Sequence, residues 1–205
     1  MQAPYAAPFE NVPPARRVTV EEYLAAEATA LSRNEYLDGV VRAMPGAGEN
    51  HLWVTTTLSD LIGPELRRKG ACRLLDQDVR VLIPQFNAYV YPDRAIACPP
   101  QFASKVSGAL ENPKVIFEVL SPSTEAYDRG GKFRRYRSLQ TMEEYVLIST
   151  MEPLVEVYAR PNWALRSYEG LDAVAVLESV GLELPLRELY ADLNWDIEEP
   201  SLVTG

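Results

Sequence analysis

The stretch Lys114-Val115-Ile116-Phe117-Glu118-Val119-Leu120 constrains the fold more than any other part of this 205-residue chain. It is almost continuously apolar, which predicts a central strand covered on both faces. A mixed sheet flanked by helices, an α/β arrangement, is the architecture that provides such cover. Glu118 sits in the middle of this run. An ionised carboxylate there is costly unless it is paired, hydrogen-bonded or bound to a metal. The plainer alternative is an acid at the strand's exposed end, or one satisfied by an arginine.

Local signals on either side fit that architecture. Met1 to Arg17 holds four prolines and reads as a flexible, extended arm. Thr19 followed by Glu22 is a capping box opening a helix from Val20 to Ala30. Asp38-Gly39 between two apolar runs predicts a β-hairpin. Asn50 is placed to cap a helix from His51 toward Lys69, with Leu58, Leu61, Ile62 and Leu66 on its apolar face. Gly63-Pro64 should kink that helix and Gly70 should end it. Strands are expected at Cys72–Leu75, Val79–Ile83, Asp93–Cys98, Glu144–Ser149, Leu154–Ala159 and Ala164–Tyr168. Tyr127 to Leu139 reads as one basic helix, and Leu186 to Leu189 as a short one before the acidic stretch Asp192 to Glu199. The organisation expected is an arm over 1–17, a core domain over 18–160, and an extension over 161–205 that packs on the core or serves a dimer contact.

Composition removes several classes of function. The net charge of −9 argues against a protein that coats nucleic acid through a global positive field, though a local basic strip can act where the whole does not. His51 is the only histidine, so zinc sites built from two or three histidines are impossible. Cys72 and Cys98 have no metal-ligand spacing and are expected to be reduced thiols packed in or near strands. No apolar run approaches the ~20 residues that span a bilayer, and the N-terminus has no secretory core, so a cytoplasmic protein is expected.

A Ser-His-Asp or Cys-His site would have to use His51, and carboxylate–metal chemistry becomes the leading way to build a catalytic centre. Asp93 opens a strand straight after Pro92, which cannot donate to a ladder and so favours a strand start. If the strands of Asp93 and Glu118 are antiparallel neighbours, their carboxylates approach within a few ångströms. The usual resolution of that repulsion is a divalent cation, and all-oxygen ligation favours Mg²⁺ or Mn²⁺. Lys132 lies fourteen positions after Glu118, where a loop and one helical turn can swing it back over the carboxylates. There a cation orients a water or stabilises a charged phosphate. Taken alone it reads as a solvated lysine. Arg129, Arg134 and Arg135 on the same helix are equally a solvated face or a contact for the backbone phosphates of DNA. His51 is a general base, a water positioner or simply a polar residue at a helix start.

These residues resemble the restriction-endonuclease-like Uma-two family of the PD-(D/E)xK nuclease superfamily. The resemblance is carried by Glu118-Val119-Leu120-Ser121-Pro122-Ser123-Thr124, by Tyr127-Asp128-Arg129-Gly130-Gly131-Lys132 and Tyr136, and by Pro92-Asp93. Glu35-Tyr36-Leu37-Asp38-Gly39 resembles the family's glutamate-containing hairpin, His51 its histidine, and Glu144–Ile148 and Val155–Tyr158 its late strands. It spans about Val18 to Tyr158. It implies a restriction-endonuclease-like core in which Asp93 and Glu118 bind metal, Lys132 is catalytic, and Glu35 and His51 lie near the centre. The activity implied is metal-dependent hydrolysis of DNA phosphodiesters, and a homodimer is expected, since two symmetric sites suit the cutting of two strands. Two departures are visible. Leu120 stands where the superfamily's usual lysine follows the glutamate by two, so Lys132 is its migrated equivalent. Tyr145-Val146 replaces the family's usual tryptophan. Two other functions compete: a non-catalytic binding or assembly module on the same fold, and a metal-dependent hydrolase of another substrate.

Overall fold

The computed structural model describes residues 16–103 and 108–195, so most of the arm and the end of the acidic tail lie outside the described residues. The first elements are helix α1 (Val20–Glu27), strands β1 (Asn34–Leu37) and β2 (Val40–Ala43), and helix α2 (Glu49–Lys69). Then come β3 (Arg73–Leu75), β4 (Arg80–Ile83), β5 (Ala88–Val90), β6 (Arg94–Ala97), β7 (Ala109–Leu110) and β8 (Val115–Leu120). A broken helix follows: α3 (Glu125–Tyr127), a π-helical turn (Asp128–Lys132) and α4 (Phe133–Tyr136). β9 (Glu144–Ser149), β10 (Leu154–Ala159), β11 (Ala164–Glu169), β12 (Val174–Leu177), β13 (Leu182–Pro185) and α5 (Leu186–Leu189) complete the chain.

The expected mixed sheet is present, in the order β11-β10-β9-β8-β6-β3. β8 and β9 are parallel and every other neighbour is antiparallel. All six residues of β8 are buried, as its composition requires. A second sheet, β2-β1-β5-β4-β7, and the hairpin β12-β13 were not foreseen as separate layers. The two faces of β8 divide the core. Val115, Phe117 and Val119 pack with Val54, Leu58, Ile62 and Leu66 of α2 and with Leu184, Leu186 and Leu189 from the end of the chain. Ile116 and Leu120 pack with Tyr136, Leu139 and Met142 after the broken helix and with Val81, Ile83 and Val90 of the second sheet. Glu118 shares the parity of Ile116 and Leu120 and therefore enters this second layer.

Local chemistry explains most elements. Thr19 and Glu22 form the capping box, although α1 ends at Glu27. Asp38 and Gly39 both have positive φ, 47° and 90°, the type I′ geometry that suits a two-residue hairpin. A Cβ at Gly39 would stand 2.8 Å from the Cβ of Arg17, so only glycine fits. Helix α2 is capped at Gly48, and Asn50 lies inside it, where its amide donates instead to the carbonyl of Asn194. Pro64 does not end α2, and Gly70, at φ 93°, does. No helix among the described residues is long and apolar enough to cross a membrane.

The cysteines are a correction. Cys72 and Cys98 form a disulfide. The antiparallel register Arg73↔Ala97 sets them directly opposite each other at the end of the β3–β6 ladder, a juxtaposition that their 26-residue separation conceals. Closing a loop of that length contributes about 3.5 kcal/mol by restricting the unfolded chain. Denaturant melts with and without reductant are expected to differ by that amount. Identical midpoints, or two titratable thiols in the native protein, would show that the bridge does not form.

Candidate functional site

The connection from β8 to β9 brings the key side chains together. Two parallel neighbours need a crossover that returns along the sheet, and here the crossover is the broken helix. It carries Lys132 back over Glu118, where Nζ donates to Oε2 at 2.8 Å. On the other side of β8, the register Arg94↔Phe117 sets Asp93 opposite Glu118. The Asp93 carboxylate accepts the Val119 N–H at 2.7 Å on Oδ2 and faces His51 Nε2 at 3.1 Å with Oδ1. Arg94 fixes that approach. Its guanidinium donates to Ser59 Oγ, to the Thr55 carbonyl and to the Asp93 carbonyl, tying α2 to the start of β6.

Glu35 reaches the same centre from β1. Its Oε1 lies 3.7 Å from Lys132 Nζ, and its Oε2 accepts the Tyr127 hydroxyl at 2.9 Å. All five residues expected at the centre are therefore gathered. The sequence reading missed Asp128, which is buried with Oδ1 3.7 Å from Lys132 Nζ. It also missed the Tyr145 hydroxyl, in the tryptophan's place, which donates to the Asp128 carbonyl. A carboxylate four residues before a lysine was the available signal, but the segment reads as a solvated basic helix. That helix is neither continuous nor wholly solvated. Paired glycines, Gly130-Gly131, carry little helix preference, and the wider π turn falls across them. A Cβ at Gly131 would press on the Tyr127 ring at 3.3 Å.

The arginines divide. Arg129 is held by Glu125 and Glu156, and Arg135 donates to the Gly131 carbonyl and stands over the Tyr127 ring. Arg134 is exposed and stands over the Phe86 ring. Arg160 donates to the carbonyls of Arg137, Leu139 and Met142, fixing the segment after α4.

The centre thus holds four carboxylates, Glu35, Asp93, Glu118 and Asp128, around one ammonium. Burial pushes the Glu118 carboxyl well above the usual range; Lys132 opposes this, while Asp128 and Asp93 add to it. Burial favours a neutral lysine, but Glu118, Asp128, Glu35 and Asp93 together outweigh it and hold Lys132 charged. Burial would also raise Asp93, yet the His51 hydrogen bond, the nearby charges and the Val119 N–H bring it below its ordinary value.

Burial, more than Lys132 can offset, pushes Asp128 up to about 6. The folded protein therefore keeps that proton to a higher pH than the unfolded chain does, and stability falls as pH rises through this range. Asp128→Asn is expected to raise the melting temperature at pH 8, with the gain shrinking below pH 6. A pH-independent effect in thermal melts of the two proteins would contradict this.

Could these residues hold a metal? Among the described residues, no three His, Cys, Asp or Glu side chains converge as a ready ligand set. Two features nevertheless suit a hard cation. Glu118 Oε1 has no hydrogen-bond partner although the residue is only 2% exposed. The carboxylates also outnumber their positive partners. Mg²⁺ commonly takes one or two protein carboxylates and completes its shell with water and substrate phosphate.

The family model "Uma2: Putative restriction endonuclease" matches residues 20–187. The chain is 34% identical over 190 residues to Uncharacterized protein slr1290 of Synechocystis sp., covering 91% of this chain and 95% of that protein. It is 33% identical over 160 residues to Uncharacterized protein sll1609 of the same organism, covering 76% and 90%. A crystal structure from Anabaena variabilis, described as "a putative nuclease belonging to DUF820", shares the fold with a TM-score of 0.71. That likeness covers 85% of this chain and 98% of the other at 18% identity.

Proposed function

Since the chain belongs to the Uma2 family, which supports a nuclease function in general, we propose that it is a divalent-metal-dependent endonuclease hydrolysing DNA phosphodiester bonds. The observation that carries this reading is the convergence of Asp93, Glu118 and Lys132 from two antiparallel strands and one crossover helix. Asp93 and Glu118 would hold Mg²⁺ or Mn²⁺. When bound, that ion lowers the pKa of water and offsets charge on the phosphate.

The other steps belong to the chain itself. Lys132 keeps its proton among the acids and offers it as a donor to an oxygen of the scissile phosphate, where negative charge grows. Glu35 and Asp128 hold the ammonium from two further sides and limit where it can point. His51, fixed by Asp93 and only partly buried, orients the attacking water. Arg134 grips the DNA backbone, with Arg129 and Arg135 contributing from their present contacts. Direct hydrolysis needs no covalent enzyme intermediate. A homodimer would place two such centres on a duplex.

The test is cleavage of supercoiled plasmid by the purified chain. Nicking or linearisation is expected with Mg²⁺ or Mn²⁺ and none with chelator. Cleavage that persists in chelator would overturn the metal dependence. A second reading, a binding or assembly module on the nuclease fold, is favoured by the ion pair that Lys132 already makes with Glu118. An inert protein that binds DNA without cutting any form of it would select that reading.

A further inference from the structure

Lys132 Nζ has one carboxylate at hydrogen-bond distance and two more close behind. Glu118 Oε2 is at 2.8 Å, while Glu35 Oε1 and Asp128 Oδ1 are each at 3.7 Å. The lysine is only 4% exposed, so no competing water shell holds its charge. Glu118 meanwhile leaves Oε1 without a partner, and Asp93 has committed both oxygens, one to His51 and one to the Val119 N–H. A divalent ion approaching Glu118 would face the ammonium across the same carboxylate. Two cations at that distance repel on a scale comparable to the binding itself.

We propose that Lys132 is the site's internal counter-ion: its ammonium holds Glu118 until a divalent cation takes that carboxylate, and then shifts onto Glu35 and Asp128. This rests on the metal-binding reading of Asp93 and Glu118. It gives Glu35 and Asp128 a positioning role without making either a ligand. It also explains how three buried acids and the partly buried Asp93 can fold together before any ion arrives, since the lysine supplies the positive charge. The movement needed is about an ångström, within the reach of a lysine's rotamers.

The consequence is competition. Calorimetric titration of the full chain with Mn²⁺, and separately with Mg²⁺, is expected to show at least about tenfold tighter binding by Lys132→Met than by wild type. Lys132→Arg should stay near the wild-type affinity. Arg137→Gln, an equal charge loss at an exposed position beyond the same helix, should change it by less than about twofold. In the wild-type protein, nuclear magnetic resonance of the hydrogen-bonded lysine ammonium should report the handover directly. Its signal is expected to move saturably with Mg²⁺, with the same half-saturation as calorimetry.

Wild-type or weaker affinity in Lys132→Met overturns the proposal and leaves the metal site standing. So does an ammonium signal that ignores saturating cation. If the methionine variant does not fold, the wild-type resonance titration decides alone. If neither wild type nor variant takes up either ion, the metal reading itself falls, and this inference with it.

Discussion

Asp93→Asn and Glu118→Gln are each expected to lower cleavage by about 10³-fold or more while leaving the fold intact. The reason for the loss is charge. Each amide keeps the shape of the side chain but removes half of the anionic pair that would hold the ion. The reason for the intact fold is hydrogen bonding. An asparagine at 93 still offers a carbonyl oxygen to the Val119 N–H, and its amide faces His51 in place of Oδ1. A glutamine at 118 still accepts from Lys132, and it removes a carboxylate whose charged form burial disfavours. Melting temperatures should therefore stay within a few degrees of wild type, and Glu118→Gln can exceed it in metal-free buffer. The measurement is plasmid cleavage at saturating Mg²⁺ beside thermal melts of the same samples. Either variant cleaving within tenfold of wild type would remove that residue from the centre. Lost cleavage accompanied by a collapsed melt would show a folding defect instead.

Asp93 and Glu118 stand out in the sequence for a physical reason. Strand periodicity and burial are written locally, so β9 and β10 run between the residues their composition marks, and Asp38-Gly39 turns where two positive φ values are needed. Glu118 announced itself because nothing around it could satisfy a charge. Asp93 became significant only through Glu118, and the ladder Arg94↔Phe117 supplies the adjacency that the sequence could state only as a condition.

The features that escaped are those set by contacts far apart in the chain. Cys72 and Cys98 read as two unrelated thiols because the register that pairs them belongs to β3 and β6 together. Asp128 reads as one acid on a basic helix because the sequence does not show that this turn is buried, with its carboxylate toward Lys132 and its carbonyl accepting the Tyr145 hydroxyl. Asn50 looked like a cap because cap-forming side chains are the local signal, whereas Gly48 takes the position and Asn50 answers to Asn194. β5, β12 and β13 are short or interrupted, and their burial comes from layers that no single segment encodes. The arginines show the same limit. Their density was legible, but Arg129 is claimed by Glu156 on β10, and only the fold reveals which cation keeps its freedom.

The same buried charge arithmetic makes Lys132 the most sensitive position for stability. Lys132→Ala is expected to cost about 3–5 kcal/mol in metal-free buffer at pH 8, because it strands buried acids without their cation. Glu118, Asp128 and Glu35 all lie within 4 Å of the ammonium, so repulsion among them replaces attraction toward it. The loss should be partly undone by a second change that removes one of those charges. In Lys132→Ala with Glu118→Gln the combined cost is expected to fall below the sum of the single costs by about 2 kcal/mol, a coupling typical of groups in direct contact. Lowering the pH should rescue the single variant in the same way, since protonating Asp128, already pushed up to about 6, removes part of the repulsion. Denaturant unfolding of the four proteins of the cycle, at pH 8 and pH 5, measures all of this. A cost under about 1 kcal/mol at pH 8 would mean that water or a rearranged side chain satisfies the acids, and that Lys132 does not hold this centre together. A full cost with no coupling to Glu118 would place the lysine's stabilising contact on Glu35 and Asp128 instead, and would remove the ion pair with Glu118 from the account of how the site folds.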